Sequence, residues 1–219
     1  MTFSLLARDP ISGALGGAAA TGNLCVGAWV LRGKAGVGIS ASQGRFPSTL
    51  WGGTVLGEIE RGVAPDQAIQ TTVMPDGGRA SRQLLVLDQN GRGAAFSGQE
   101  NVPMVSEVVQ PGICAGGNML SQSDVVGAMA DGFLYSKDSF LRRLLAGLSC
   151  GANAGGDARG LMSAAILIIA QDHPPIDIRV DVAEDPLKAL SNLATCIEAE
   201  EYVHWMRALP TSFTPYPSH

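Results

Sequence analysis

Thr2 is the residue whose position alone gives it chemistry. It stands directly behind Met1 and is small enough for removal of that methionine to be the expected processing, which leaves an α-amine beside a hydroxyl on one residue. A free α-amine has a reference pKa of about 8, so near neutral pH a neutral fraction can take the hydroxyl proton of the same residue. Nucleophile and base then travel together, and attack on an amide carbonyl is the reaction they suit. The competing account of Thr2 is a β-branched residue opening an ordinary strand.

Other candidates fall in three stretches. Lys34 sits in the loop between the third and fourth expected strands, where a nearby ammonium would lower the effective pKa of the Thr2 nucleophile. "NAGGDARGLMS" at 153–163 offers Asp157, Arg159 and Ser163 at the entrance of a very apolar strand, with glycines that let backbone approach a ligand. A polar turn in which Asp157 bonds its own backbone is the structural alternative. "AGGN" at 115–118 could supply backbone N–H groups and Asn118 as oxyanion donors, or could be a Gly-Gly-Asn turn.

Several motifs fail on spacing. "GKAGVG" at 33–38 puts its lysine before most of its glycines and lacks a following Ser or Thr, so it is no phosphate loop. "GISAS" is one residue short of a nucleophile elbow. His173, His204 and His219 show no paired spacing, so no metal site is expected. Cys25 or Ser40 as an internal nucleophile would lack a histidine partner evident in the sequence.

Bulk composition bounds the setting. The chain has 219 residues, 46% hydrophobic and 16% charged, with 28 glycines, which fits one well-buried domain rather than a disordered or coiled-coil chain. We take residues 1–209 as that domain and 210–219 as a tail. A net charge of −5 argues against a nucleic-acid partner. The run "LMSAAILIIA" at 161–170 is about half a bilayer span, so no membrane partner is expected. Four dispersed cysteines without a CxxC pair or a basic-then-apolar leader read as reduced thiols in the cytoplasm.

The elements that must position these groups follow from periodicity and turns. "TFSLLARD", "PISG" and "ALGGAAA" read as a hairpin starting at Thr2. Strands are expected at 24–31 and 35–43, then a helix after Ser48 or Thr49 and a second helix over "APDQAIQTTVM". "SRQLLVLD", "QNGR" and "GAAFSG" form a second hairpin, and a further strand is expected near 107–114. A helix with a Ser121/Asp124 capping box, an amphipathic helix over "KDSFLRRLLAGL", strands at 161–170 and 176–182, and one long helix opening at Asp185-Pro186 complete the order. Such segregated groups of strands and paired helices favour an α+β four-layer αββα sandwich of two mainly antiparallel sheets.

With these residues collected, the chain resembles the bacterial domain of unknown function 1028 family, which is assigned to the N-terminal-nucleophile hydrolase superfamily. The resemblance rests on "MTFS" with "ARDP", "AGVG" followed by "SQ", "AAFSG", the "GN" at 117–118, "AGGDARG" followed by "SAA", and "IDIRVD" ahead of "DP". These pieces cover roughly residues 1–190 in the family's order. The resemblance implies the four-layer αββα fold.

Residue by residue, it implies Thr2 as nucleophile, Lys34 at a position that is often basic, Gln43 as a recurrent glutamine and Asn118 as the "GN" asparagine. Asp157, Arg159 and Ser163 belong to the "GGD-RG-SA" block, with Gln43 and Arg159 on the substrate side. The layout is also similar to that of proteasome-type threonine hydrolases, with a lysine some thirty residues past the threonine and a late Asp and Ser pair. "GRFPSTLWGG" lacks the family's Asn-Pro and Tyr-Gly elements, and Met162 replaces a polar residue, both where a pocket is expected.

Two functions are carried forward. One is an amidohydrolase acting on a small molecule or short peptide, with a small polar amide preferred and no metal or organic cofactor. The other is a non-catalytic ligand-binding or assembly protein that retains Met1. A homo-oligomer held through apolar outer helices is the expected assembly.

Overall fold

The computed structural model describes residues 2–101, 104–157 and 159–217. The first two strands, β1 (Thr2–Arg8) and β2 (Leu15–Thr21), form the hairpin expected from the Pro10 to Gly13 turn. A short helix α1 (Val26–Trp29) leads into β3 (Leu31–Lys34) and β4 (Gly38–Gly44). Then come α2 (Trp51–Glu60), α3 (Pro65–Val73), β5 (Arg82–Asp88), β6 (Gly93–Ser97), β7 (Val105–Gln110) and β8 (Ile113–Asn118). The chain continues through α4 (Val125–Tyr135), α5 (Phe140–Asn153), β9 (Ser163–Ile169), β10 (Ile176–Val180), α6 (Pro186–Ile197) and α7 (Glu200–Arg207).

The strands make two antiparallel sheets, one of six strands in the order β10-β9-β2-β1-β8-β7 and one of four in the order β3-β4-β5-β6. Side chains alternate between the faces of a strand, and that alternation assigns three apolar cores. Phe3, Leu5 and Ala7 of β1 pack with Met129, Phe133, Leu144 and Leu148 of α4 and α5. Leu6, between them in sequence, packs instead with Ile39, Leu85 and Leu87 of the four-stranded sheet. Leu84 and Val86 of β5 turn the other way, against Trp51, Val55 and Ile69 of α2 and α3. With apolar cover on both faces, "LLVL" in β5 reads as a continuous apolar run rather than an alternating one.

Five sequence expectations change. Residues 26–29, read as strand, are helical because Val26 N–H is accepted by the Ser163 hydroxyl at 3.1 Å while Cys25, at φ 58°, turns the chain. The single strand near 107–114 is a hairpin of β7 and β8 around Gly112, at φ 80°. "AGGN" is therefore no turn: all four residues are buried in β8 between β1 and β7. Its glycines are there for space, since a Cβ on Gly116 would lie 2.9 Å from Leu85 and one on Gly117 2.6 Å from Leu120.

The Ser121/Asp124 capping box does not form: Asp124 precedes α4 without a side-chain cap bond, and the buried Ser121 hydroxyl has no partner among the described residues. Finally, the expected long C-terminal helix breaks between Ile197 and Glu200 into α6 and α7, after starting as read, with Asp185 accepting from Lys188 N–H at 3.0 Å. No helix among the described residues is long and apolar enough to cross a membrane.

Candidate functional site

The strand registers bring the chemistry into one row. Thr2 pairs with Thr21 across β1 and β2 and with Asn118 across β1 and β8, and Thr21 pairs with Ser163 across β2 and β9. Four polar residues thus stand side by side on four adjacent strands, with neighbours about 4.8 Å apart. Thr2 is on the same alternation as Ser4 and Leu6, so it faces the four-stranded sheet rather than the helices. Its hydroxyl donates to the Thr21 hydroxyl at 3.1 Å. Each member of the row is buried, Thr2 being 8% exposed at the edge of a cleft.

Beneath the row runs a chain of buried amides whose orientation is dictated from one end. The Gln83 Nε2 donates to the Ser97 hydroxyl at 2.8 Å and lies 3.3 Å from the Gly117 carbonyl and 3.4 Å from the Ser106 carbonyl. Those carbonyls can only accept, so Gln83 points its nitrogen at them and its oxygen toward the side chains of Gln43 and Asn118. There Oε1 accepts from Gln43 Nε2 at 2.7 Å and from Asn118 Nδ2 at 3.2 Å. Gln43, thereby oriented, accepts the Ser4 hydroxyl at 2.8 Å and gives a second N–H toward the Gly116 carbonyl at 3.2 Å. Asn118 is left with its oxygen buried and without a partner among the described residues. An unsatisfied buried acceptor beside a cleft is an uncommon arrangement that calls for a reason.

A cleft of about 520 Å³ opens over the row, walled by Trp29, Arg45, Phe46 and Met119 and reached by Thr2, Thr21, Gln43 and Arg159. Met119 (φ 56°), on its wall, and Cys25 (φ 58°), beside it, are the two non-glycine residues with positive φ among those described. Held strain of this sort gathers where the surrounding structure over-determines a functional loop.

Asp157 forms the corner of the cleft. Its Oδ2 accepts Gly22 N–H at 2.6 Å and the Arg159 guanidinium at 3.0 Å, while Oδ1 accepts Arg159 N–H at 2.8 Å. These hydrogen bonds, more than the accompanying charge attraction, hold Arg159 in its charged form against a partial cost of burial. Gly22 is confined here, because a Cβ would lie 2.5 Å from the Gly160 carbonyl. Ser163 is two strands from Thr2 and is engaged elsewhere, donating to the Asn23 carbonyl at 2.7 Å and accepting Val26 N–H. It fixes the start of α1, which carries Trp29 into the cleft wall.

Lys34 does not join this group. In the β3–β4 register it pairs with Gly38, five residues along β4 from Gln43, which is a separation of about 16 Å. Its ammonium also lies on the opposite face, paired with Glu60 of α2 at 2.5 Å. The sequence reading put Lys34 in a loop, but it closes strand β3, and strand direction and alternation carry it away from Thr2. The backbone N–H groups of residues 115–118 are likewise lost as oxyanion donors, since they lie within the β8 ladder. Ser40 faces α2, donating to the Gly52 carbonyl at 3.1 Å, and so lies outside the cleft. The Met1 removal expected from the sequence falls outside the described residues.

Three members of the site escaped the sequence reading. Thr21 could have been found by counting, because a hairpin that pairs Arg8 with Leu15 pairs Thr2 with Thr21. Gln83 had a weaker signal, a lone amide opening an apolar strand. Arg45 lies within the stretch already set apart as unusual, "GRFPSTLWGG".

The chain matches the family of unknown function DUF1028 over residues 2–190. The crystal structure of protein SPO2555 from Silicibacter pomeroyi, of that same family, is 45% identical and superposes with a TM-score of 0.95, covering 99% of this chain and 94% of that one. Anbu (ancestral beta-subunit) from Yersinia bercovieri superposes with a TM-score of 0.43 at 12% identity, over 90% of this chain and 97% of that one. No curated protein matches the chain.

Proposed function

The chain belongs to the DUF1028 family, and on that premise we propose that it is an N-terminal-threonine amidohydrolase of the N-terminal-nucleophile type. The observation that carries the proposal is the position of the Thr2 hydroxyl, hydrogen-bonded to Thr21 at the base of a cleft and flanked by side-chain amides of fixed orientation. The packing order of helices, sheet, sheet and helices supports it, being that of a four-layer αββα sandwich with the Thr2 strand inside.

In the proposed reaction, removal of Met1 frees the α-amine of Thr2. The amine takes the hydroxyl proton as Oγ1 bonds to the substrate carbonyl carbon. The oxyanion that forms is met by the second N–H of Asn118, whose first is held by Gln83. The carbon–nitrogen bond then breaks, the departing amine takes the proton, and an ester remains on Thr2. Water, deprotonated by the same α-amine, releases the acid and restores the hydroxyl. Thr21 orients the nucleophile, and Asp157 and Ser163 hold the loops around it.

Intact mass and turnover test this together. Protein made without an N-terminal extension should weigh one methionine less than the full sequence, and Thr2→Ala should abolish hydrolysis of a panel of small amides. Its thermal melt should stay within a few degrees of wild type, since one hydroxyl hydrogen bond contributes about 0.5–1.5 kcal/mol. Full-length mass, or turnover that survives Thr2→Ala, would refute the nucleophile and favour a binding role.

A further inference from the structure

Of the two arginines that line the Thr2 cleft, charge pairing leaves Arg45 without a carboxylate. Seven arginines, Arg61, Arg82, Arg92, Arg142, Arg143, Arg159 and Arg179, each lie against a carboxylate. Arg45 has no ion pair and no side-chain hydrogen bond among the described residues; its guanidinium lies 5.6 Å from the ring centroid of its neighbour Phe46. It stands on the wall of the Thr2 cleft, whose described lining contains two arginines and no Asp or Glu. In a chain of net charge −5, this is a local reversal of sign.

The segment that presents Arg45 is built rather than loose. Arg45 N–H is accepted by the buried Asn101 carboxamide at 3.0 Å, Phe46 N–H by the Ser81 carbonyl at 3.2 Å, and the Phe46 carbonyl accepts from Arg82 at 2.5 Å. Gly44, at φ 132°, has no room for a side chain, because a Cβ would lie 2.5 Å from the Ser81 carbonyl. An anchored backbone with an unpaired cationic tip suits planar, two-pronged recognition of a carboxylate.

Beside that tip the cleft is apolar. Leu24, Trp29 and Phe46 line it and are 47%, 53% and 63% exposed, a cluster of large apolar groups where isolated ones would be unremarked. A small polar amide would leave them in water.

Resting on the amidohydrolase reading, we infer that the substrate is an N-acylated amino acid or similar amide bearing a free carboxylate beside an apolar group. Arg45 takes the carboxylate, Trp29 and Phe46 cover the apolar part, and the amide carbonyl is delivered to Thr2.

The test is calorimetric titration of the Thr2→Ala protein, which cannot turn substrate over, with N-benzoylglycine and with its neutral analogue N-benzoylglycinamide. The two probes differ in the carboxylate alone. A charge-assisted hydrogen bond corresponds to a preference on the order of ten-fold for the acid. Adding Arg45→Gln should erase that preference with no change in melting temperature, and adding Trp29→Ala should weaken both probes alike. Equal affinity for the two probes, a preference that survives Arg45→Gln, or no binding of either at millimolar concentration overturns the inference. Carboxylate preference in a protein that retains Met1 and hydrolyses nothing would sink the amidohydrolase reading alone. Hydrolysis of amides irrespective of charge would sink the inference alone.

Discussion

Gln83→Met removes the amide on which the others depend, and the cost can be worked from the contacts. Gln83 is fully buried and makes two bonds through its oxygen, to Gln43 at 2.7 Å and Asn118 at 3.2 Å. Methionine keeps the length and loses both, along with the donation to Ser97. Gln43 retains the Gly116 carbonyl at 3.2 Å, so its loss is about 1 kcal/mol. Asn118 Nδ2 keeps no other acceptor among its hydrogen bonds, and an orphaned buried donor costs about 1–3 kcal/mol.

The sum is about 2–4 kcal/mol, a large share of the roughly 5–15 kcal/mol expected for a domain. Guanidinium unfolding should show it as a lower midpoint with an unchanged slope. A loss below about 0.5 kcal/mol would refute the claim that Gln83 orients the network. Gln83→Glu gives a second reading of the same contacts. Its new oxygen would face the Ser106 and Gly117 carbonyls, so the acid is favoured over the anion and the folded pKa rises above the usual glutamate value. The folded state then tolerates the variant below the unfolded pKa and loses stability as pH rises through the folded one. A deficit that does not grow between pH 4 and 8 would count against the assigned amide orientations.

Two further outcomes bear on residues outside the row. Lys34→Ala should leave amide turnover unchanged and stability within about 1 kcal/mol, because its half-exposed pair with Glu60 is a surface pair on the far face of β3; a ten-fold fall in turnover would contradict the placement. Asp9 is buried, which pushes its pKa up, yet hydrogen bonds from the Ser12 hydroxyl, the backbone of Ser12 and Ile11, and the Arg143 charge outweigh this and hold it below 3.8. A depressed carboxyl pKa stabilises above the unfolded value and is lost as pH falls through the folded one. Asp9→Asn should therefore be less stable than wild type at pH 6 in urea melts, with the gap closing as pH falls through the depressed folded pKa, and a gap that is constant with pH would exclude this role.

Much of the architecture was legible because local signals agreed with the final packing. The hairpin at Thr2, the Asp185 cap and the "NG" turn each depend on residues close in sequence. The misreadings share a different cause. Residues 26–29 are apolar and suit a strand, yet the partner that sets their helix, Ser163, is 137 positions away. The glycines of 116–117 resemble a turn until Leu85 and Leu120 are seen to fill the space above them.

The site was legible to the same degree. Thr2, Gln43, Asn118, Asp157 and Arg159 converge around one cleft. Lys34 failed because spacing along a chain gives neither the direction of a strand nor the face from which a side chain leaves it. Arg45 and Gln83 carried no motif at all; one is marked by lacking a counter-charge and the other by bonds to another strand's backbone.

The interleaving of Phe3, Leu5 and Ala7 with Thr2, Ser4 and Leu6 also governs how this protein can vary through descent. Replacing one side chain in β1 perturbs one face. Deleting or inserting one residue within it would swap the faces on one side of the change, either sending Ser4 among the helices and Phe3 into the amide network or turning Thr2 out of the row. The strand can drift in composition, but its length is fixed between two neighbours that both hold it in register.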